Sequence, residues 1–301
     1  MLRFSPAGVN HAGGDAPPFL EAWVWEPQLI IGLAIPLALY AFGWYRLQRR
    51  GPRGLILPAW RAWAFVGGVA TLALALLSPI SAYADVRFSM HMTQHLLLLM
   101  IAPPLLLLGA PLIPTLWALP GSARRSLGQF LAPRHPLHRV FSALAHPFVA
   151  VGAYVATIAV WHIPRLYDVA QGQTLTHDVQ HMMFLGVALL YWWPIVHPTG
   201  GRRQLSYALA IPYLLPPFVE GIVIGALVTL SSAPIYDTYQ VSPDVWGLST
   251  LEDQQLAGLI MWVPGGMMFL IPLFWLLTIV LRAEDKRMSH QPHTARSDKA
   301  D

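Results

Sequence analysis

Two stretches of this sequence carry paired histidines at one spacing. His91 and His95 stand in FSMHMTQHLLLLM, and His177 and His181 in THDVQHMMFLG. On a helix the i, i+4 spacing puts both side chains of a pair on one face, with Cβ atoms about 6 Å apart. Each pair can therefore chelate one metal ion or supply neighbouring ligands to a shared site. Neutral imidazole suits copper, zinc, iron and nickel. His162, in WHIPRLYD, is a fifth candidate ligand, with bonding to a loop carbonyl as its alternative role. Methionines gather at the same places: Met90 and Met92 flank His91, Met182 and Met183 follow His181, and Met261 lies in a later apolar stretch. Taken singly, such residues are packing groups; as a set, thioethers favour Cu(I). The chain has no cysteine, which excludes thiolate ligands, cysteine nucleophiles and disulfides.

The segments that must carry these residues are membrane helices. Of the 301 residues 55% are hydrophobic and only 11% charged, against about 25% charged in soluble domains. The net charge of +4 is modest and its basic residues do not cluster, so a nucleic-acid partner is not expected. Seven stretches are long and apolar enough to cross a bilayer: 27–45, 60–80, 88–112, 146–163, 176–196, 205–231 and 253–281. The expected fold is an all-α polytopic membrane protein. A short external tail covers 1–26, a seven-helix membrane domain 27–283, and a cytoplasmic tail 284–301. The tail 1–26 has no continuous apolar core and reads as a mature tail rather than a signal peptide.

All but three of the nineteen Lys and Arg residues fall in alternate segments: Arg46, Arg49, Arg50, Arg53 and Arg61; Arg124, Arg125, Arg134 and Arg139; Arg202 and Arg203; Arg282, Lys286, Arg287, Arg296 and Lys299. Arg3, Arg87 and Arg165 are the exceptions. The positive-inside rule then places the N-terminus outside and the C-terminus in the cytoplasm, as an odd number of spans requires. In that topology His91, His95, His162, His177 and His181 converge near the outer membrane surface.

Both pairs read HxxQH, and each follows a loop with a tyrosine and an acid, Tyr83/Asp85 and Tyr167/Asp168. The expectation is a diverged repeat of helices two–three and four–five, or else a coincidence over a few residues. Gln94 and Gln180, with Asp168 and Asp178, are candidates to orient the imidazoles or balance metal charge. Glu220, in LLPPFVEGIVIG, is an acid at membrane depth and so a functional candidate; its structural alternative is a protonated acid bonded to a carbonyl freed by Pro216 and Pro217, which are expected to break the helix. Gly265 and Gly266, after Pro264, suggest a break or close packing. Ser249 or Thr250 is the expected cap of the last helix, with Glu252 and Asp253 in its first turn.

Three segments, HMTQHLLLLMIAPPLLLLGAP, WHIPRLYDVA with HDVQHMMFLGVALLYWWPIV, and LSTLEDQQLAGLIMWVPGG, resemble the multi-span CtaG-like family of cytochrome c oxidase (caa3-type) assembly factors, from about the second helix to the last. A single-span copper chaperone sharing the CtaG name uses a cysteine pair, which this chain lacks. The resemblance implies a role in forming a haem–copper oxidase in a bacterial cell membrane, a suspected part in its copper supply, and the five histidines as the recurrent polar positions. The leading expectation is a non-enzymatic factor that binds copper at the outer histidine cluster and assists its delivery to an oxidase subunit in the same membrane. The alternatives are a haem-binding redox protein with His95 and His181 as axial ligands, a copper or proton transporter with Glu220 on its path, and a di-iron membrane enzyme. The last shares only the HxxxH spacing, and its sites face the cytoplasm.

Overall fold

The computed structural model describes residues 18–52, 57–130, 132–196, 198, 205–240 and 246–289. Much of the two tails, together with Arg53, Arg202, Arg203 and Asp244, lies outside the described residues. Among those described the protein is all helix. The elements are α1 (Pro27–Arg50), α2 (Ala59–Leu77), α3 (Pro79–Ala84), α4 (Phe88–Leu96), a π turn (Leu97–Ile101), α5 (Ala102–Leu108), α6 (Leu112–Ala118), α7 (Gly121–Phe130), α8 (Pro136–Leu144), α9 (Pro147–Trp161), α10 (Pro164–Gly172), α11 (Thr174–Val196), α12 (Tyr207–Leu230) and α13 (Thr250–Ser289). Six helices are long and apolar enough to cross a membrane, counting α4 to α5 as one, or seven if α8 and α9 form a single bent span.

That seventh span differs from the expected 146–163. Its straight part, α9, has only 15 residues, or about 22 Å at 1.5 Å per residue, short of a hydrocarbon core about 30 Å thick. Pro147 starts α9 afresh, and α8 meets it at 63°. The other six agree with the expected stretches to within several residues at their ends.

Prolines set the details elsewhere. Pro79 follows Ser78, whose hydroxyl accepts from the Ile80 amide at 3.2 Å, so α2 stops and the short α3 begins. Pro103 has no amide to offer the Leu99 carbonyl one turn earlier. The chain takes up the π turn there, and the Trp192 indole of α11 donates to the Leu99 carbonyl at 3.0 Å. Pro216 and Pro217, by contrast, do not break α12, which runs unbroken through both. Transmembrane helices accommodate such residues when neighbours re-satisfy the freed backbone groups.

Further contacts fix the frame. A Cβ on Gly258 would run into Thr229 and the Gly225 carbonyl, so α12 and α13 cross at backbone distance through two glycines. Gly265 and Gly266 serve close packing rather than a break: a Cβ on either would lie 3.3 Å from Leu96 or Phe218. At the opposite end from the histidines, side chains cap helix C-termini. Arg46 donates to the Ala118 carbonyl at 3.0 Å, and Tyr40 to that of Gly109 at 2.9 Å, which suits the negative end of a helix dipole.

The α2–α3–α4 and α9–α10–α11 segments each place a short helix before a histidine helix, the first of which reaches full length only by running on through the π turn into α5. Their short helices do different jobs. Tyr83 stacks on Trp246 at 4.9 Å, whereas the Tyr167 hydroxyl bonds that of Tyr239 at 2.9 Å.

Gly258→Ala should force α12 and α13 apart and lower stability by about 1–3 kcal/mol, the cost of overpacking. Gly186→Ala, where a Cβ meets nothing within 4 Å, should be neutral. Thermal unfolding of the two variants in detergent checks the pair.

Candidate metal centre

The histidine pairs meet because the helices that carry them are anchored at this end. The first turn of α4 has amides with no partner in its own helix. Asp253, from the first turn of α13, supplies one: its carboxylate accepts from the Phe88 amide at 2.7 Å and from the Ser89 hydroxyl at 2.5 Å. Both Asp253 and Ser89 are buried. Arg87 donates to the Leu248 carbonyl at 3.0 Å, and Ser249 with Glu252 forms a reciprocal cap on α13, the Ser249 amide to the Glu252 carboxylate at 2.8 Å and the Glu252 amide to the Ser249 hydroxyl at 3.3 Å. α4 is thereby pinned to α13 one turn before His91.

From α4, His91 and His95 face His177 and His181 of α11. Within the pairs, ring centroids lie 4.2 Å and 4.1 Å apart. Across the helices, His91 is 5.3 Å from His177 and 6.0 Å from His181, and His95 is 5.4 Å from His181. Ligand atoms of His91, His95 and His181 all lie within 4.8 Å of one another. His177 closes the group beside His181. The Nε2 atoms of His91 and His95 touch at 2.8 Å, so one ring donates to the other. His95 Nδ1, His177 Nε2 and His181 Nε2 are buried with no hydrogen-bond partner. Buried polar atoms are normally satisfied, and imidazole nitrogens gathered this closely, some of them unpaired, are donors of the kind a borderline or soft metal takes. A tetrahedral ion at about 2.0 Å would hold two ligand nitrogens about 3.3 Å apart. The His91 and His95 nitrogens would therefore part by a few tenths of an ångström, and the proton they share would move to another ring nitrogen or leave.

Aromatic rings close the cluster on one side. Phe88, Tyr167, Tyr236 and Tyr239 pack together, with Tyr167 5.6 Å from His91 and Tyr239 donating to the Ala84 carbonyl at 3.2 Å. Burial raises the pKa values of these three tyrosines above the ordinary phenol value, so they are neutral hydroxyls at neutral pH and add no charge. On the other side Phe184 meets His95 edge-on at 4.7 Å, over the core formed by Tyr191, Trp192 and Phe269.

The remaining candidates are dispersed. His162 does not join the four: its Nδ1 bonds its own helix at the Ile158 carbonyl, 2.8 Å away, and its Nε2 is buried and unpaired. It lines a cavity of about 80 Å³ on the far side of His95, together with Met92, Glu220 and Met261. Gln94 does not orient an imidazole. It donates to the Ala75 carbonyl at 2.8 Å and ties α4 to α2. Gln180 is buried with neither amide atom bonded. Asp168 accepts from the Thr238 amide and hydroxyl at 3.1 and 2.8 Å, and so holds the loop before α13. Asp178 is exposed, turned about 100° from His177 around α11, and close enough to raise the pKa of Glu26 as a second cause after that group's burial. Met90 packs on Ala82 and Tyr83, and Met182 and Met183 point outward, Met182 74% exposed. The sequence reading passed over Gln171, whose amide reaches His91 Nε2 at 3.4 Å, and the roles of Asp253, Tyr236 and Tyr239. Only Asp253 left a trace, as an acid in a first turn.

Comparison with known proteins now decides the family. The model of the cytochrome c oxidase caa3 assembly factor family (Caa3_CtaG) matches residues 38–283. This chain belongs to that family. The Caa3_CtaG match covers α2 through α12 and all five histidines. The chain is also similar to the uncharacterized protein Mb0105 of Mycobacterium bovis, 32% identical over 284 residues, which is 92% of this chain and 42% of that protein. The uncharacterized protein ML1998 of Mycobacterium leprae is 30% identical over 247 residues, 79% of this chain and 37% of its own length. The chain thus spans about two fifths of the curated relatives it matches. No solved structure matches.

Asp253→Ala should uncap α4, leave a buried amide and hydroxyl unsatisfied, and cost about 1–3 kcal/mol. Chemical unfolding in detergent micelles reads that loss, and Asp253→Asn, which keeps one acceptor oxygen, should recover part of it.

Proposed function

We propose that this protein holds copper at the histidine cluster and assists its delivery to a subunit of a caa3-type oxidase in a bacterial cell membrane. His91, His95 and His181 are the ligands, with His177 beside them, and the cluster faces the outer side. Copper is cargo in this reading, and no turnover chemistry is required. The observation that carries it is the meeting of three buried ligand atoms within 4.8 Å beside unpaired ring nitrogens. Family membership supports the oxidase as the destination, and the arginine distribution supports the orientation.

The chain's own residues would act in order. The Asp253 cap holds α4 in place, and the Trp192 bond to Leu99 holds α11 against it. The two imidazole pairs are then preset on facing helices, so little ordering is needed when an ion arrives. The tyrosine group above them excludes water. The adjacent cavity, at about 80 Å³, has room for a few waters or an ion, which favours an ion over a haem macrocycle as occupant.

Purified protein loaded with copper and desalted should retain it, and the His95→Ala/His181→Ala variant should lose it at unchanged helical content. Metal analysis beside circular dichroism makes the comparison. A folded wild type that retains no copper would sink the reading and favour a factor that acts through contact with the nascent oxidase subunit.

A further inference from the structure

The cavity beyond His95 has a donor set of its own. Met92, Met100 and Met261 line it with His95, His162 and Glu220. The Glu220 carboxyl oxygens are buried and hydrogen-bonded to nothing, the Ala159 backbone lying nearby without a bond of good geometry. His162 Nε2 is likewise buried and unpaired, its other nitrogen already spent on Ile158. Two unpaired polar groups on one small apolar cavity, in a helix bundle, call for a missing partner. Met100 is already oriented there, its sulfur accepting from the Tyr154 hydroxyl at 3.7 Å.

We propose that this cavity is a second cation site, distinct from the histidine cluster and selective for a soft monovalent ion, Cu(I). Two arguments select the ion. Thioether sulfur and imidazole are neutral donors that favour Cu(I) over harder cations. Among these lining groups Glu220 is the one carboxyl, so a monovalent ion leaves the site neutral, whereas a divalent ion leaves a buried net charge that is costly in hydrocarbon. His95 borders both sites. An ion leaving the histidine cluster therefore has a next set of ligands within the same protein, deeper in the bundle and poorer in nitrogen. The inference deepens the copper reading and rests on it for the identity of the cargo, but its ligands are largely separate.

The test is Cu(I) binding to the purified full-length chain in detergent under anaerobic conditions, against a Cu(I)-specific chelator, with X-ray absorption at the copper edge. The wild type should hold two ions and show sulfur scatterers. Met92→Leu/Met261→Leu, which conserves volume, should hold one ion with a nitrogen-only shell. Glu220→Gln should weaken the second ion at least tenfold and leave the first unchanged. His91→Ala/His181→Ala should keep one ion, with sulfur. One ion without sulfur in the wild type, indifferent to the methionine and Glu220 variants, would overturn the second site and leave the histidine cluster standing. One ion with sulfur, indifferent to His91 and His181, would do the reverse. Two ions in the Met92→Leu/Met261→Leu variant at wild-type affinity would also overturn it. Absence of copper from the folded wild type would end both readings.

Discussion

Inside a bilayer a backbone amide or carbonyl has no water to turn to, and the architecture follows from how each such group is answered. The N-terminus of α4 is answered by a carboxylate 165 residues away in sequence, that of Asp253 on Phe88. The carbonyl that Pro103 leaves unpaired is answered by the indole of Trp192. Helix ends on the arginine side are answered by Arg46 and Tyr40. Each answer joins helices distant in sequence. Satisfying the backbone and gathering the histidines are thus one process, since two of these bonds position α4 and α11.

The histidines themselves depart from that rule. Five imidazoles contribute buried nitrogens, and several of these, with the Glu220 carboxyl, find no partner in the protein. A fold that takes such care with its backbone leaves its side-chain polar groups unpaired in one continuous region. On one side the surroundings are aromatic, and the tyrosine rings there keep water from satisfying those nitrogens.

Much of this was legible in the sequence, for a physical reason. Helical periodicity alone puts His91 with His95 and His177 with His181, and length and apolarity alone mark the spans, so the all-helical fold and the two pairs could be read directly; the arginine pattern brought five histidines to one level, of which His162 stands apart from the other four. Adjacency misled where the face of the helix mattered. Successive helical residues differ by about 100° in direction, so Met182 and Met183 look outward although they follow His181, and Gln94 reaches α2 although it precedes His95. The expected fourth span, 146–163, holds α9 alone and leaves out α8, because the break at Pro147 and the polar residues of α8 hide that helix's part in a bent span. Pro216 and Pro217 were read as a break by a rule drawn from exposed helices, which neighbours in a membrane bundle override. The Asp253 bond was invisible because nothing local in LEDQQ says which helix end the acid will meet.

α13 carries three features on one face-spanning rod of 40 residues. Near its start Asp253 holds the histidine helix. Two to three turns on, Met261 and Gly265 line the cavity. Between them Gly258 seats against α12 with no clearance. The Gly258 contact lies between the other two, so a tilt of α13 about it moves them in opposite directions. Swinging the Met261 wall away from the cavity would carry the Asp253 end the opposite way and slacken its hold on α4, so the cavity wall and the anchor of the histidine helix are mechanically coupled through one helix.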